Sequence, residues 1–147
     1  MNPLISIIIV NFNGLRYLGP CLSSLEKQSY EPYEIVLVDN GSSDGSAGYV
    51  RTHFPGVIVV ETGTNRGFAG GTNAGIKEAH GDFILTLNND TIVDSHFLEN
   101  IIKPMLADIR IGMCASKMCF PDGRINSTGI CFSRSGAAWD RGILEAD

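Results

Sequence analysis

Two apolar runs of this chain each end in side chains that can bind a ligand. Residues 35–38 lead directly into Asp39 and a turn with two glycines, and residues 85–87 lead into Asn88-Asn89-Asp90. Both runs are predicted to be strands, and the second is predicted to be buried. In an open α/β sheet, ligands bind at the carboxyl ends of the strands, where loops and helix N-termini meet. The two runs therefore predict a polar, phosphorylated ligand and a cation at one sheet edge.

The composition is typical of one globular domain with its own core. The chain has 147 residues, of which 44% are hydrophobic and 18% are charged. A formal net charge of -5 with scattered lysines and arginines offers no footprint for nucleic acid, so that partner is not expected. The four cysteines lack Cys-x-x-Cys spacing, which favours reduced thiols over a zinc site. Residues 4–10 are too short to span a bilayer, and we expect a cytoplasmic protein without a transmembrane segment.

Apolar periodicity predicts strands and helices in strict alternation. Strands are predicted at residues 4–10, 34–38, 57–61, 83–87 and 111–118, and helices at residues 15–25, 47–54, 68–79 and 97–105. The third helix is predicted to have one face formed by Phe68, Ala69, Thr72, Asn73, Ile76 and Ala79. This order predicts an α/β fold whose mostly parallel sheet is flanked by helices. Residues 124–147 lack periodicity and are predicted to form a loop or an incomplete subdomain.

Four segments carry a resemblance to a known family. They are residues 6–14 (SIIIVNFNG), 38–46 (VDNGSSDGS), 65–75 (NRGFAGGTNAG) and 87–91 (LNNDT). In this order and spacing they resemble family 2 glycosyltransferases of the GT-A fold, a Rossmann-like nucleotide-diphospho-sugar transferase fold, and within that family the rhamnosyltransferase-like branch. The resemblance implies an enzyme that transfers a sugar, with inversion, from a UDP or dTDP sugar such as dTDP-rhamnose to a saccharide or lipid-linked acceptor. The implied pathway is cell-surface polysaccharide biosynthesis.

The resemblance places the base of the donor beside the first two strands. It implies that Asp39 accepts a hydrogen bond from the N3–H of uracil or thymine, a donor that suits a carboxylate. The alternative is that Asp39 only caps the turn that follows, although Asp44 could serve as that cap. Val10 and Asn11 match positions beside the base, and for Asn11 a simple turn is nearly as good an interpretation.

The glycines of residues 65–75 follow the third strand rather than the first, which disfavours a nicotinamide cofactor. Small residues let this helix start approach the nucleotide, with Arg66 offering a cation and Asn73 an amide. The alternative is that the glycines only pack the helix tightly on the sheet. Both interpretations can hold at once.

Asn88-Asn89-Asp90 stands at the place of the family's Asp-x-Asp motif. The resemblance implies that Mg²⁺ or Mn²⁺, held by Asp90, neutralises charge on the leaving diphosphate, while Asn89 faces the ribose or diphosphate. Asn88 is an amide where the family has an acid, so we expect the metal to bind together with the donor. The alternative is a polar turn that caps a helix starting near residue 95.

The catalytic base is not identified. Inverting members carry it in a Glu-Asp pair after a Gly-Gly-rich stretch, and no such pair follows Asp90. Asp140, beside Trp139, is the only later acid flanked by an aromatic residue, and a surface or turn role is favoured for it.

We therefore expect a chain truncated on its C-terminal side and inactive by itself. Residues 1–118 form the nucleotide-sugar binding core, and residues 119–147 begin the acceptor-side region. The full-length protein could associate peripherally with the inner face of the membrane. The alternative function is a nucleotide-sugar binding module without transferase activity. A nucleotidyltransferase is disfavoured because no Gly-rich basic loop follows the first strand.

Overall fold

The computed structural model describes residues 2–133, 135 and 137–146. The chain divides into two compact units, Met1–Leu98 and Glu99–Asp147. Among the helices of the described residues, none combines the length and the apolar character needed to cross a membrane.

The first unit is a four-stranded parallel sheet with helices on it. Its strands are β1 (Ile5–Asn11), β2 (Tyr33–Asp39), β3 (Ile58–Glu61) and β4 (Phe83–Asn88), and its helices are α1 (Leu15–Leu25), α2 (Ser46–His53) and α3 (Gly67–Lys77). The strand order is β3-β2-β1-β4, and all three pairings are parallel. The predicted α/β fold is confirmed, and the first four predicted strands and three predicted helices differ from the observed ones only at their ends.

The order of the strands reverses at β1. From β1 the chain steps outward to β2 and β3 on one side and then returns to place β4 on the other side. Right-handed crossovers therefore put α3 on the face opposite α1 and α2. The register sets Asn11 beside Asp39 and Val10 beside Asn88, so three strand ends lie level at one edge.

The core of this unit lies around β1 and β2. Ile7, Ile9 and Leu37 are fully buried, and α1 adds Leu18 and Leu22. Burial of each such side chain contributes about 1.5–3 kcal/mol, which makes the two central strands a rigid support for the residues at their ends.

Helix α3 faces the sheet with glycine, which corrects the predicted apolar face. Gly71 and Gly75 are its buried residues, whereas Phe68 and Ile76 are exposed. A Cβ on Gly75 would lie 2.5 Å from Ile8 Cγ2 in β1 and 2.9 Å from Val38 Cγ2 in β2. Of the predicted face, Ala79 packs against the core, whereas Phe68 and Ile76 do not, because the missing glycine side chains let the helix backbone approach the sheet. The packing role that the sequence left open for these glycines thus agrees with the structure.

Strand β4 is an edge strand of the described sheet, although its apolar sequence predicted a buried one. It pairs with β1, and Ile84, Thr86 and Asn88 are exposed. The prediction was wrong because a short apolar run does not reveal whether other elements cover both faces of a strand.

The second unit contains most of α4 (Phe97–Ala107) and two short antiparallel pairs. Strand β5 (Met118–Cys119) pairs with β6 (Ile125–Ser127), and β7 (Ile130–Phe132) pairs with β8 (Ala138–Asp140). The strand predicted at residues 111–118 was wrong, since only its last residue is in a strand. Gly112 interrupts that segment and Met113 is 86% exposed, so it has no buried face to hold it extended.

Candidate functional site

Asn11 links the ends of three strands. This side chain, at the end of β1, is fully buried. Its Nδ2 donates to Asp39 Oδ1 at 3.5 Å and to Ser42 Oγ at 3.2 Å, and its Oδ1 accepts from Asn89 Nδ2 at 2.7 Å. The structure therefore brings together three residues that the sequence singled out, at the edge where the strand order reverses.

Asp39 is buried at the end of β2 but keeps accepting capacity. It is 4% exposed, and its Oδ2 accepts from the Ser42 N–H at 3.2 Å. This contact is the turn-capping role that the sequence left as an alternative. Each carboxylate oxygen has two lone pairs, so each oxygen can accept one further donor. Capping the turn and binding a ligand are therefore compatible roles for Asp39.

Asp44 accepts hydrogen bonds from backbone N–H groups at the N-termini of α1 and α2, beside this edge. Its Oδ2 accepts from the Leu15 N–H at 2.9 Å, in α1, and its Oδ1 accepts from the Ser46 N–H at 3.1 Å, in α2. Burial would raise the pKa of Asp44, but hydrogen bonds from the Ser46 hydroxyl and from these N–H groups outweigh it and hold the pKa below its usual value. A charged Asp44 thus caps both helices, and Asp39 is not needed for that role.

Asn40 fastens the loop between β3 and α3 to the end of β2, a role that the sequence did not reveal. It is 1% exposed. Its Nδ2 donates to Asn65 Oδ1 at 3.1 Å and to Gly67 O at 3.0 Å. Its Oδ1 accepts from the Arg66 N–H at 3.0 Å and from Thr62 Oγ1 at 3.1 Å. All four bonds of the amide are used, so Asn40 shapes the rim of the site.

At this edge, Gly14 and Gly41 leave room for neighbouring atoms that a side chain would displace. A Cβ on Gly14, just before α1, would lie 2.2 Å from Asn89 Nδ2 and 2.5 Å from Asn11 Oδ1. Gly41 has φ +82, and a Cβ there would lie 2.9 Å from the Thr64 backbone. Gly14 and Gly41 both lie in the four sequence motifs, and their positions there could have indicated this close packing.

Asp90 is exposed in the turn after β4. Among the described residues, none donates a hydrogen bond to its carboxylate or forms an ion pair with it. Beneath this turn, the Cys21 thiol donates to the Asn88 carbonyl at 3.9 Å. Burial and the negative charge of Asp90 raise the pKa of Cys21 to about 11, so this thiol stays protonated at neutral pH.

The helix-capping role left open for residues 88–90 belongs to Asp94 instead. Its Oδ1 accepts from the His96 N–H at 2.8 Å, and its backbone O accepts from the Phe97 N–H at 3.1 Å, at the start of α4. The polar tract after β4 is therefore not explained as a helix cap.

The predicted metal site after β4 has one carboxylate, that of Asp90. In the part of the chain that the structure describes, no group of three or more His, Cys, Asp or Glu side chains could hold a metal. Mg²⁺ usually takes one or two carboxylates together with substrate phosphates and waters. Asp90, which is exposed, could supply the carboxylate of such a set.

Arg66 precedes α3 and Asn73 lies within it, and the Arg66 backbone N–H donates to Asn40 Oδ1, next to Asp39 in the chain. They line an open cleft of about 200 Å³ beside β3 and α3, whose lining also includes Glu61, Thr62, Lys77 and Glu78. The Arg66 guanidinium donates to the Thr62 carbonyl at 3.2 Å. Val10 contacts α3, since its Cγ1 lies 2.6 Å from where a Cβ of Gly71 would be. The donor-binding roles of these residues stay predictions.

Asp140 lies in the second unit, in β8, where it pairs with Ile130. It is partly buried. The surface or turn role favoured for Asp140 stays a prediction, and the catalytic base stays unidentified.

Comparisons with known proteins agree with this geometry. The model of the Glycosyl transferase family 2 matches residues 6–139. The chain is 34% identical over 119 residues to glycosyltransferase GlyG of Streptococcus pneumoniae, covering 76% of this chain and 39% of that protein. It is similar to the solved structure of the mannosyltransferase PcManGT from Pyrobaculum calidifontis in complex with GDP-Man and Mn²⁺, with a TM-score of 0.74, 26% identity, and coverage of 83% and 37%.

A second solved structure is that of S. aureus TarS in complex with UDP, with a TM-score of 0.64 and 26% identity. The likeness covers 70% of this chain and 32% of the TarS chain. The present chain thus spans between 32% and 39% of the length of these three proteins.

Proposed function

Because the chain belongs to glycosyl transferase family 2, we propose that it forms the donor-binding part of an enzyme that transfers a sugar from a UDP or dTDP sugar to a saccharide or lipid-linked acceptor. The observation that carries this proposal is the meeting of Asn11, Asp39 and Asn89 at the edge where the strand order reverses. Nucleotides bind at such an edge in open α/β sheets.

Asp39 is proposed to select the base. A buried carboxylate that keeps free lone pairs accepts the N3–H of uracil or thymine. TarS was solved with UDP, which supports this choice. PcManGT was solved with GDP-Man, and guanine also offers N–H donors, so GDP is the informative competitor.

Asp90 is proposed to hold Mg²⁺ or Mn²⁺ together with the donor phosphates. When bound, the cation neutralises the negative charge that grows on the leaving diphosphate. The presence of Mn²⁺ in the PcManGT structure supports this role. The side-chain amide of Asn89, next to Asp90 at the end of β4, is proposed to face the ribose or diphosphate.

The finer parts of the proposal rest on the four sequence motifs. These parts are inversion at the anomeric carbon, rhamnose as the sugar, cell-surface polysaccharide as the product, and a cytoplasmic protein associated with the inner face of the membrane. Residues 1–118 are proposed as the donor core and residues 119–147 as the start of the acceptor side. The chain alone is proposed to bind donor but transfer little sugar, because loss of a positioned base costs ~100- to 10,000-fold in rate.

Calorimetric titration of the chain with UDP, dTDP, GDP and ADP, with and without Mn²⁺, tests this function. We expect UDP or dTDP to bind best, Mn²⁺ to tighten binding, and Asp39→Ala to weaken it about 10- to 100-fold, because a hydrogen bond to a carboxylate is lost. Asp82→Ala, at the opposite end of β4, is the matched control and should bind normally. Unchanged affinity in folded Asp39→Ala would remove Asp39 from the base site, and absence of nucleotide binding would overturn the donor role.

A transfer assay with the same protein separates an enzyme from a binding module. Little transfer together with firm UDP binding is the expected result for the chain alone. Robust transfer to a saccharide would contradict the proposed inactivity and would make Asp140 the first residue to replace.

A further inference from the structure

The Asn11 amide can satisfy its partners in one orientation only. An ionised carboxylate accepts hydrogen bonds but does not donate them, so the Asn11 NH₂ group must face Asp39. The Ser42 hydroxyl can donate or accept, and it therefore does not decide the orientation. Turning the amide over would set its carbonyl oxygen against the Asp39 carboxylate and its NH₂ group against that of Asn89. Asp39 thus fixes which end of Asn11 faces β4.

The orientation of the Asn11 amide determines the orientation of the Asn89 amide. Because Asn11 turns its carbonyl oxygen toward Asn89, the latter must supply its NH₂ group, and the two atoms lie 2.7 Å apart. The remaining Oδ1 of Asn89 accepts no hydrogen bond from the residues described. Gly14 leaves room for the pair, since any larger residue would place a Cβ 2.2 Å from Asn89 Nδ2.

We propose that Asn11 is a positioning residue that couples Asp39 to Asn89 and so fixes the carbonyl oxygen of Asn89 as the group presented to the donor. This inference rests on the proposed function for what Asn89 meets. A carbonyl oxygen accepts a hydroxyl proton or coordinates a cation, and it repels the anionic oxygens of a diphosphate. The nucleoside side and the phosphate side of the edge are thereby linked through one buried amide.

The side-chain NH₂ resonances of Asn89 report this coupling in the chain without ligand. We expect Asp39→Ala to shift these resonances, although Asp39 lies two strands away, because Asn11 loses the partner that orients it. The same change made in an Asn11→Ala background should leave them where Asn11→Ala alone puts them. Ser42→Ala is the matched control, which removes the other partner of the Asn11 NH₂ group and should leave the Asn89 resonances in place.

Unmoved Asn89 resonances in Asp39→Ala would overturn the coupling, and this holds even if Asn11→Ala does not fold. A Ser42→Ala shift as large as that of Asp39→Ala would also overturn it. These outcomes do not depend on nucleotide binding, so they are distinguishable from failure of the proposed function.

UDP titrations then test what the coupling does. We expect Asn11→Ala and Asn89→Ala each to weaken UDP binding about five- to tenfold, and the double variant to be no weaker than either single one. Additive losses would show that Asn11 acts independently of Asn89 and would overturn the positioning role. Absence of UDP binding by the unaltered chain would overturn the proposed function and the donor role of Asn89 with it.

Discussion

Replacement of Gly14 by alanine should damage both the fold and the site. The new Cβ would lie 2.2 Å from Asn89 Nδ2 and 2.5 Å from Asn11 Oδ1, where ordinary contact begins near 3.4 Å. The amide pair must therefore move by about 1 Å, which breaks its 2.7 Å hydrogen bond. Loss of that bond costs about 1 kcal/mol and crowding adds about 1–3 kcal/mol, while stiffening of the unfolded chain returns about 0.4–1 kcal/mol. We expect a net loss of about 1–3.5 kcal/mol.

Gly48→Ala is the matched control for this change. Gly48 lies inside α2, and a Cβ there would meet nothing within 4 Å. This variant should gain about 0.5–1 kcal/mol, because alanine favours a helix over glycine. Urea unfolding followed by far-UV circular dichroism measures both, and UDP titration measures the site. Equal stability and equal UDP affinity for Gly14→Ala and Gly48→Ala would refute the close packing of α1 on the amide pair.

Two further predictions concern single acids. Burial would raise the pKa of Glu34, but hydrogen bonds from the Ser6 hydroxyl and from His80 outweigh it and lower the pKa. The stabilisation is therefore full above the unfolded pKa near 4.5 and is lost as pH falls through the lower folded value, so Glu34→Gln should cost about 1–2 kcal/mol at pH 7 and progressively less below pH 4.5 in urea unfolding. A constant difference across this range would contradict it. Asp90→Ala should abolish the Mn²⁺-dependent part of UDP binding and leave uridine binding unchanged in calorimetry, because only the phosphates share the ion. Equal enhancement by Mn²⁺ in both proteins would rule out the metal role.

The sequence predicted the α/β fold because apolar runs and helical stripes alternate clearly over residues 4–87. The same logic predicted that Asp39 and Asn89 lie at one edge, since the carboxyl ends of parallel strands share an edge. The structure places both beside Asn11, because β1 lies between β2 and β4, a strand order that the sequence did not predict.

Features that depend on close approach between distant segments were not predictable from pattern. In the sequence, Asn40 resembles an ordinary turn residue, yet its side chain is hydrogen-bonded to Asn65, 25 positions later. Tight glycine packing of α3 was left open by the sequence, but the exposure of Phe68 and Ile76 was not predictable, because periodicity counts side chains and cannot register a contact made by their absence. That Arg66 and Asn73 line one cleft with Glu61 depends on how α3 is rotated, which helical spacing alone does not fix.

The central claim is that the edge formed by β1, β2 and β4 binds the nucleoside diphosphate. Backbone amide shifts of the ¹⁵N-labelled chain, titrated with UDP in the presence of Mg²⁺, test it most directly. We predict that the largest shifts fall at residues 10–14, 39–42 and 88–91, and that Asp39→Ala removes them at the same UDP concentration. Shifts concentrated elsewhere, with residues 10–14, 39–42 and 88–91 unmoved, would contradict the claim.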